Sequence, residues 1–155
     1  MLHWQQINLN PNNPTNYGKV VASGYGSGCR YDFADWAYVP GGGDYLYTLG
    51  VTSGGHQCYL IRWSLATHNC EIIIKFNDLV FANATVFGAT YASSDGFLYG
   101  SENTLGNIYK VSIQTPYSIV KFADGPASYS NDGARCINNT QPVGNGEGNT
   151  PTYGS

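Results

Sequence analysis

Apolar and polar residues alternate with a period of two in a series of short segments, and the order of those segments repeats along the chain. The phrase "GDYLYTLG" at 43–50 returns as "DGFLYGSE" at 95–102, with Leu46 and Leu98 as equivalents. Around each phrase lie four such segments: 35–39, 45–49, 59–65 and 71–76 in the first unit, and 87–91, 97–101, 108–113 and 118–122 in the second. Alternation of this kind predicts half-buried β-strands. The separators agree. "PGGGD" (40–44) and "SSDG" (93–96) join the first and second strands, and "ATHN" (66–69) and "QTPY" (114–117) join the third and fourth. Gly, Asp, Asn and Pro suit tight turns because they accept positive φ, bond to their own backbone or fix φ in advance.

The chain ends carry incomplete copies. "QQINL" (5–9) matches a third strand and "YGKVVASG" (17–24) a fourth, while "NDGARC" (131–136) matches the core of a first strand, with Ala134 equivalent to Ala37 and Ala89. Small residues there, with Gly88 or Gly133 beside them, let inner strands crowd together. The organisation read from this is a half unit at 1–24, full units at 30–76 and 85–122, and an inner strand at 131–137. A tail at 138–155 lacks apolar periodicity and reads as an extended arm or linker. Such an arm can also pair with a neighbour's open sheet edge.

One four-stranded meander cannot bury both of its faces, so neighbouring units must stack. The expected fold is all-β, a β-propeller-like array of four-stranded antiparallel blades with two complete blades and two half blades. Closed propellers use roughly 4–8 blades. Three arrangements meet that need: a piece of a longer propeller, several copies assembled into one ring, or an open fan whose edge another surface covers.

At "DGFLYGSEN" (95–103), "GNIYKVSI" (106–113) and "SNDGARC" (130–136), with "DWAYVPGGGDYLY" (35–47) as a further match, the chain resembles an uncharacterised propeller-like repeat family. That family occurs in secreted and cell-surface proteins of fungi and bacteria. Its blades read D-G-x-L-Y-G, then N-I-Y-K/R-hydrophobic, and end in a stretch like N-D-G-A-x-C. The resemblance implies a blade-like fold and no established activity or catalytic residue. The chain departs from the family's pattern in lacking a leader and earlier blades.

Composition narrows the function classes. The chain has 155 residues, 42% hydrophobic and only 11% charged, with 20 Gly and 13 Tyr, which favours short strands and turns over helices. A net charge of −3 provides no basic field for phosphates, so nucleic acid is not an expected partner. No apolar run approaches the ~20 residues of a membrane span. The opening "MLHWQQINLN" lacks the plan of a secretory signal, and the expectation is a mature or partial chain of an extracellular or cell-surface protein. Sequons at Asn83 and Asn138 fit that location.

Cys29, Cys58, Cys70 and Cys136 are disulfide candidates with three possible pairings. The strand assignment puts Cys29 and Cys58 at one end of a blade, where they can bond. It sets Cys70 opposite Trp63, facing away from Cys58. His3, His56 and His68 follow no ligand spacing, and neither a metal nor a cofactor is expected. Asp32, Asp35, Glu102 and Asp132 are the acids at the end formed by the loops between second and third strands, while Asp44 and Asp95 serve turns. No sialidase-type Asp-box or G-x-S-x-G elbow occurs, and the protein is not expected to be an enzyme. That loop end would present Tyr25, Tyr31, Trp36, Glu102, Asn103, Asp132 and Arg135 together, a mixture of aromatic faces and polar groups that suits sugar rings or extended peptide. The functional expectation is a recognition module for carbohydrate or extracellular protein. A self-assembling homo-oligomeric surface or filament subunit comes second, and a glycoside hydrolase or lyase third.

Overall fold

The computed structural model describes residues 2–133, in which ten strands and no helix form three antiparallel sheets. β1 (Leu2–Ile7) pairs with β2 (Val20–Gly26); β3 (Ala37–Tyr38), β4 (Tyr45–Val51), β5 (Gln57–Ser64) and β6 (Cys70–Val80) form one four-stranded meander; β7 (Phe87–Ala92), β8 (Phe97–Glu102), β9 (Asn107–Ser112) and β10 (Ser118–Asp124) form the second. Both four-stranded units therefore occupy the segments that the alternation marked. β6 runs beyond the expected 71–76 because residues 77–79 bulge out, after which Val80 pairs again, with Gln57. The inner strand expected at 131–137 and the tail at 138–155 lie wholly or mostly outside the described residues.

The two meanders stack face to face in the manner of propeller blades, without closing a ring among the described residues. Period two decides which side chains meet. β4 and β5 turn Tyr47, Leu49, Val51, Cys58 and Leu60 toward the second meander, which answers with Phe87, Leu98, Tyr109 and Val111 in a single core. Phe81, Phe87 and Tyr109 meet edge to face at centroid distances of 5.9 to 6.2 Å, a geometry that adds about 0.5–1.5 kcal/mol per pair beyond area burial.

Leu46 and Leu98 keep their equivalence, since both face the preceding sheet and lie opposite Trp63 and Val111 respectively. Leu98 is fully buried because a four-stranded sheet covers it. Leu46 is only partly buried, against Trp63 and the N-terminal segment that brings Leu2, Trp4, Cys29, Tyr31 and Trp36. The repeat extends to a cation over an aromatic ring: Arg62 lies 4.1 Å from the centroid of Tyr45, and Lys110 lies 3.8 Å from that of Phe97. It fails at the end of the second strand, where Gly50 stands in the first unit and Glu102 in the second.

Three expectations are corrected. First, Ala37 and Ala89 are not equivalent: Ala37 pairs with Tyr47, but Ala89 pairs with Ser101 and it is Tyr91 that pairs with Tyr99. The connection from β7 to β8 is two residues shorter than that from β3 to β4, so pairing continues further toward the turn. Ala134 lies outside the described residues.

Second, the N-terminal strands begin and end elsewhere than 5–9 and 17–24, at Leu2–Ile7 and Val20–Gly26. Third, Cys29 bonds to Cys70, with Cα atoms 5.1 Å apart, and Cys58 is a buried free thiol rather than a partner of Cys29. The cause lies in the chain path. β2 ends at the turn between β5 and β6, where Ser27 donates through its N–H (3.1 Å) and Oγ (2.8 Å) to Asn69 Oδ1, and Trp4 stacks on His68 at 3.8 Å. Gly28, with φ +82°, passes against the backbone of Cys70, where a Cβ would collide. The connection then runs the length of the blade. Tyr31 stacks on Tyr59 at 4.2 Å, and Asp32 bridges to Val51 at the opposite end.

Candidate ligand site at the loop end

At the end where β4 meets β5 and β8 meets β9, four connections and the segment after β10 border an open pocket of about 650 Å³. Asp32, Gly55, Thr85, Asn103, Thr104, Ser128 and Tyr129 contribute to its wall. Backbone hydrogen bonds tie the loops together: Thr85 N–H to Gly55 O at 3.1 Å, Asn103 N–H to Val86 O at 3.0 Å, and Ser128 N–H to Asn103 O at 2.9 Å. Thr104 adds a side-chain bond, Oγ1 to Ala84 O at 2.8 Å. A wall closed on itself in this way is set before any ligand arrives.

Glu102 holds this assembly from behind. It is fully buried at the end of β8. Its Oε2 accepts from Thr85 Oγ1 (2.7 Å) and Thr104 N–H (2.9 Å), and its Oε1 from Leu105 N–H (2.9 Å) and Asn107 N–H (3.2 Å). A carboxylate has only acceptors to offer, and here all the neighbours are donors. Glu102 thus closes the β8–β9 turn onto the β6–β7 loop.

Asn103 is the unusual member of the wall. It is 8% exposed, and its Oδ1 has no hydrogen-bond partner. Its carboxamide rests over Gly88 of β7, where an added Cβ would stand 2.5 Å from Oδ1 and 2.9 Å from Asn131 Cβ. Two other groups of the wall are accessible. The Tyr129 ring is fully exposed. Asp32 is exposed, and its carboxylate has no ion-pair partner among the described residues.

The residues that the sequence grouped together are dispersed. Asn103 lines the cavity, and Glu102 supports it without facing a ligand. Tyr31 and Trp36 pack into the second core, Trp36 edge-on to Phe33 at 4.8 Å. Tyr25 is exposed on β2 against His3, at 5.0 Å. Asp132 is exposed and accepts from Gly133 N–H at 2.9 Å. Arg135, Cys136 and Asn138 lie outside the described residues. Asn83 is exposed in the β6–β7 loop, as a glycosylation acceptor must be. Tyr129, Ser128 and Thr85 were missed because their loops have no periodicity to align.

Other chemistry is constrained as well. Asp35 ties the two meanders together, its Oδ2 accepting from Thr90 N–H at 2.9 Å and its Oδ1 from Trp36 N–H at 2.8 Å. Burial pushes the Cys58 thiol far up from its ordinary value. No three His, Cys, Asp or Glu side chains converge among the described residues. Nor does any helix there have the length and apolarity to cross a membrane.

A family model described as a repeat of unknown function (DUF6923) matches residues 3–138. The chain belongs to this repeat family. No curated protein and no solved structure matches it. The match to the repeat family takes in both meanders, the N-terminal sheet and every described wall of the loop-end cavity.

Proposed function

We propose that this member of the repeat family is an extracellular, non-catalytic recognition module that binds carbohydrate or a protein segment at the loop end. One observation carries the reading: the loops at this end are already hydrogen-bonded to one another around an open pocket, and a fully exposed aromatic ring, Tyr129, stands beside the carboxylate of Asp32, unpaired among the described residues. A preformed concavity with an aromatic face and a few polar groups is the usual setting for a ligand. The Cys29–Cys70 disulfide supports an oxidising compartment. Screening the full chain against immobilised glycans and secreted proteins tests the proposal. Binding that is lost in Tyr129→Ala is the expected result, and no binding to either class would overturn it.

Assembly is a second reading, favoured by the N-terminal sheet. Among the described residues β1 pairs only with β2, which leaves its other edge without a partner strand where the four-stranded units carry two more. A neighbouring copy would cover that edge. Solution mass by light scattering tests this: an oligomer is expected, and a monomer at all concentrations would exclude it.

A further inference from the structure

We infer that the loop-end pocket seats a guanidinium, the arginine side chain of a protein partner, on the ring of Tyr129 and against the carboxylate of Asp32; this rests on the recognition reading above. The first argument is charge. Asp32 is the one charged side chain in the described wall, and no Lys, Arg or His joins it there. Its carboxylate has no ion-pair partner among the described residues, and Arg30, two positions earlier, forms no ion pair among them either. The chain as a whole carries −3, so its long-range field favours an approaching cation over an anion.

The second argument is that the same protein already holds a cation between a ring and a carboxylate, twice. In the first unit Arg62 lies over the Tyr45 ring at 4.1 Å and donates through Nε to Glu71 Oε2 at 2.8 Å. In the second, Lys110 lies over the Phe97 ring at 3.8 Å, with Asp95 Oδ2 3.6 Å away. Each of these triads is complete. The pocket has a fully exposed ring and a free carboxylate, on Tyr129 and Asp32, and among its described residues the cation is missing.

The third argument is that the backbone holds both groups in place. Asp32 exchanges two hydrogen bonds of 2.9 Å with Val51, and Ser128, next to Tyr129, donates through its N–H to Asn103 O at 2.9 Å and through Oγ to Ser130 O at 2.8 Å. Only the two side chains need settle around a ligand. The wall's backbone groups are spent on one another, through Thr85 to Gly55 and Asn103 to Val86, so the partner is read through a side chain and not by strand addition. Arginine suits the site better than lysine or an amino sugar. In an open pocket the cation must shed water to lie on a ring, and a guanidinium is weakly hydrated, planar, and able to stack while it donates two parallel N–H bonds to a carboxylate. A neutral sugar could use the ring but would gain nothing from the charge of Asp32.

Titration of the full chain, followed by calorimetry and by the NMR signals of Tyr129, tests the assignment. The probes are a soluble peptide alternating Gly and Arg, the same peptide with Lys or with uncharged citrulline in place of Arg, a glucosamine oligomer, and neutral gluco- and manno-oligosaccharides. The Arg peptide should bind most tightly and shift the Tyr129 signals. Asp32→Asn should weaken it about two- to fivefold, the effect of one exposed ion pair, and flatten its salt dependence. Tyr129→Ala should lose it, while Tyr129→Phe keeps the ring and the affinity. Both positions are exposed, so these variants keep the fold. Equal binding of the citrulline peptide or a neutral oligosaccharide, tighter binding of the Lys peptide, or unchanged affinity in Asp32→Asn overturns the inference and leaves the recognition reading intact. Tightest binding of the glucosamine oligomer overturns the assignment to protein, and binding that emerges only in Arg135→Ala gives the seat to the chain's own arginine and overturns the assignment to a partner. Failure of the Arg peptide while the wider screen yields a ligand overturns the inference alone; binding of nothing on either overturns both.

Discussion

Replacing Glu102 with Gln exchanges one carboxylate oxygen for an NH₂ group and tests whether the carboxylate is the clasp of the loop end. All four of its partners are donors, two on each oxygen. Either orientation of the Gln amide therefore turns an NH₂ group toward two donors. The less costly orientation faces Thr85, whose hydroxyl can rotate to accept and which already stands 3.3 Å from Thr104 N–H. One backbone N–H is then left poorly satisfied, at about 1–3 kcal/mol for a buried donor. In a chain of 155 residues that amounts to a fall in melting temperature of about 6 °C at the middle of the range. Glu102→Ala removes all four acceptor contacts and leaves a void, so it should cost at least twice as much. Thermal unfolding followed by circular dichroism gives the magnitude, and hydrogen exchange gives the place, with faster exchange at the Thr104 amide in the Gln variant and at Thr104, Leu105 and Asn107 in the Ala variant. A melting point within about 1 °C of wild type for the Gln variant, or exchange unchanged at those amides, would refute the reasoning.

The other predictions concern the scaffold. A Cys29→Ser, Cys70→Ser variant should lose about 2–4 kcal/mol, because the bridge spans 41 residues of chain; denaturant titration measures the loss, and a non-reducing peptide map showing Cys29 joined to Cys58 would contradict the assignment. Cys58, with its thiol deprotonation pushed far up by burial, should stay unmodified by thiol reagents in the native protein and react only on unfolding, as read by mass spectrometry. Leu98→Ala should destabilise by about 3–4 kcal/mol and Leu46→Ala by about 2, since only the first is completely enclosed; equal losses in urea titrations would mean that the two positions do not differ as described.

How much of this was legible in the sequence depended on range. The strands around Leu46 and Leu98 were readable because alternation and turn chemistry are local properties, and a shifted register would turn every apolar side chain to the wrong face. The Cys29–Cys70 bond was not readable, because it depends on a connection running from Asn69 to Val51 along the blade, which no local signal encodes. Asn103 was identified as a polar residue at the loop end, but its orphaned oxygen depends on the closeness of Gly88, a residue of another strand. Glu102 was placed correctly in space and wrongly in role: a carboxylate beside a loop looks like a ligand contact until its four donors are known. Tyr129 gave no warning, since a lone aromatic among Ala, Ser and Asn has no pattern to belong to.

The two units share a scaffold but differ at one position, where Gly50 stands in the first and Glu102 in the second. Tyr31 and Ile61 crowd the space beside that glycine, so the first unit has no room for the acid and its loop is fastened by other means. Duplication of such units would multiply architecture without multiplying receptors. If the loop end binds a ligand as proposed, valency in a tandem array would follow the number of copies carrying the acid rather than the number of blades.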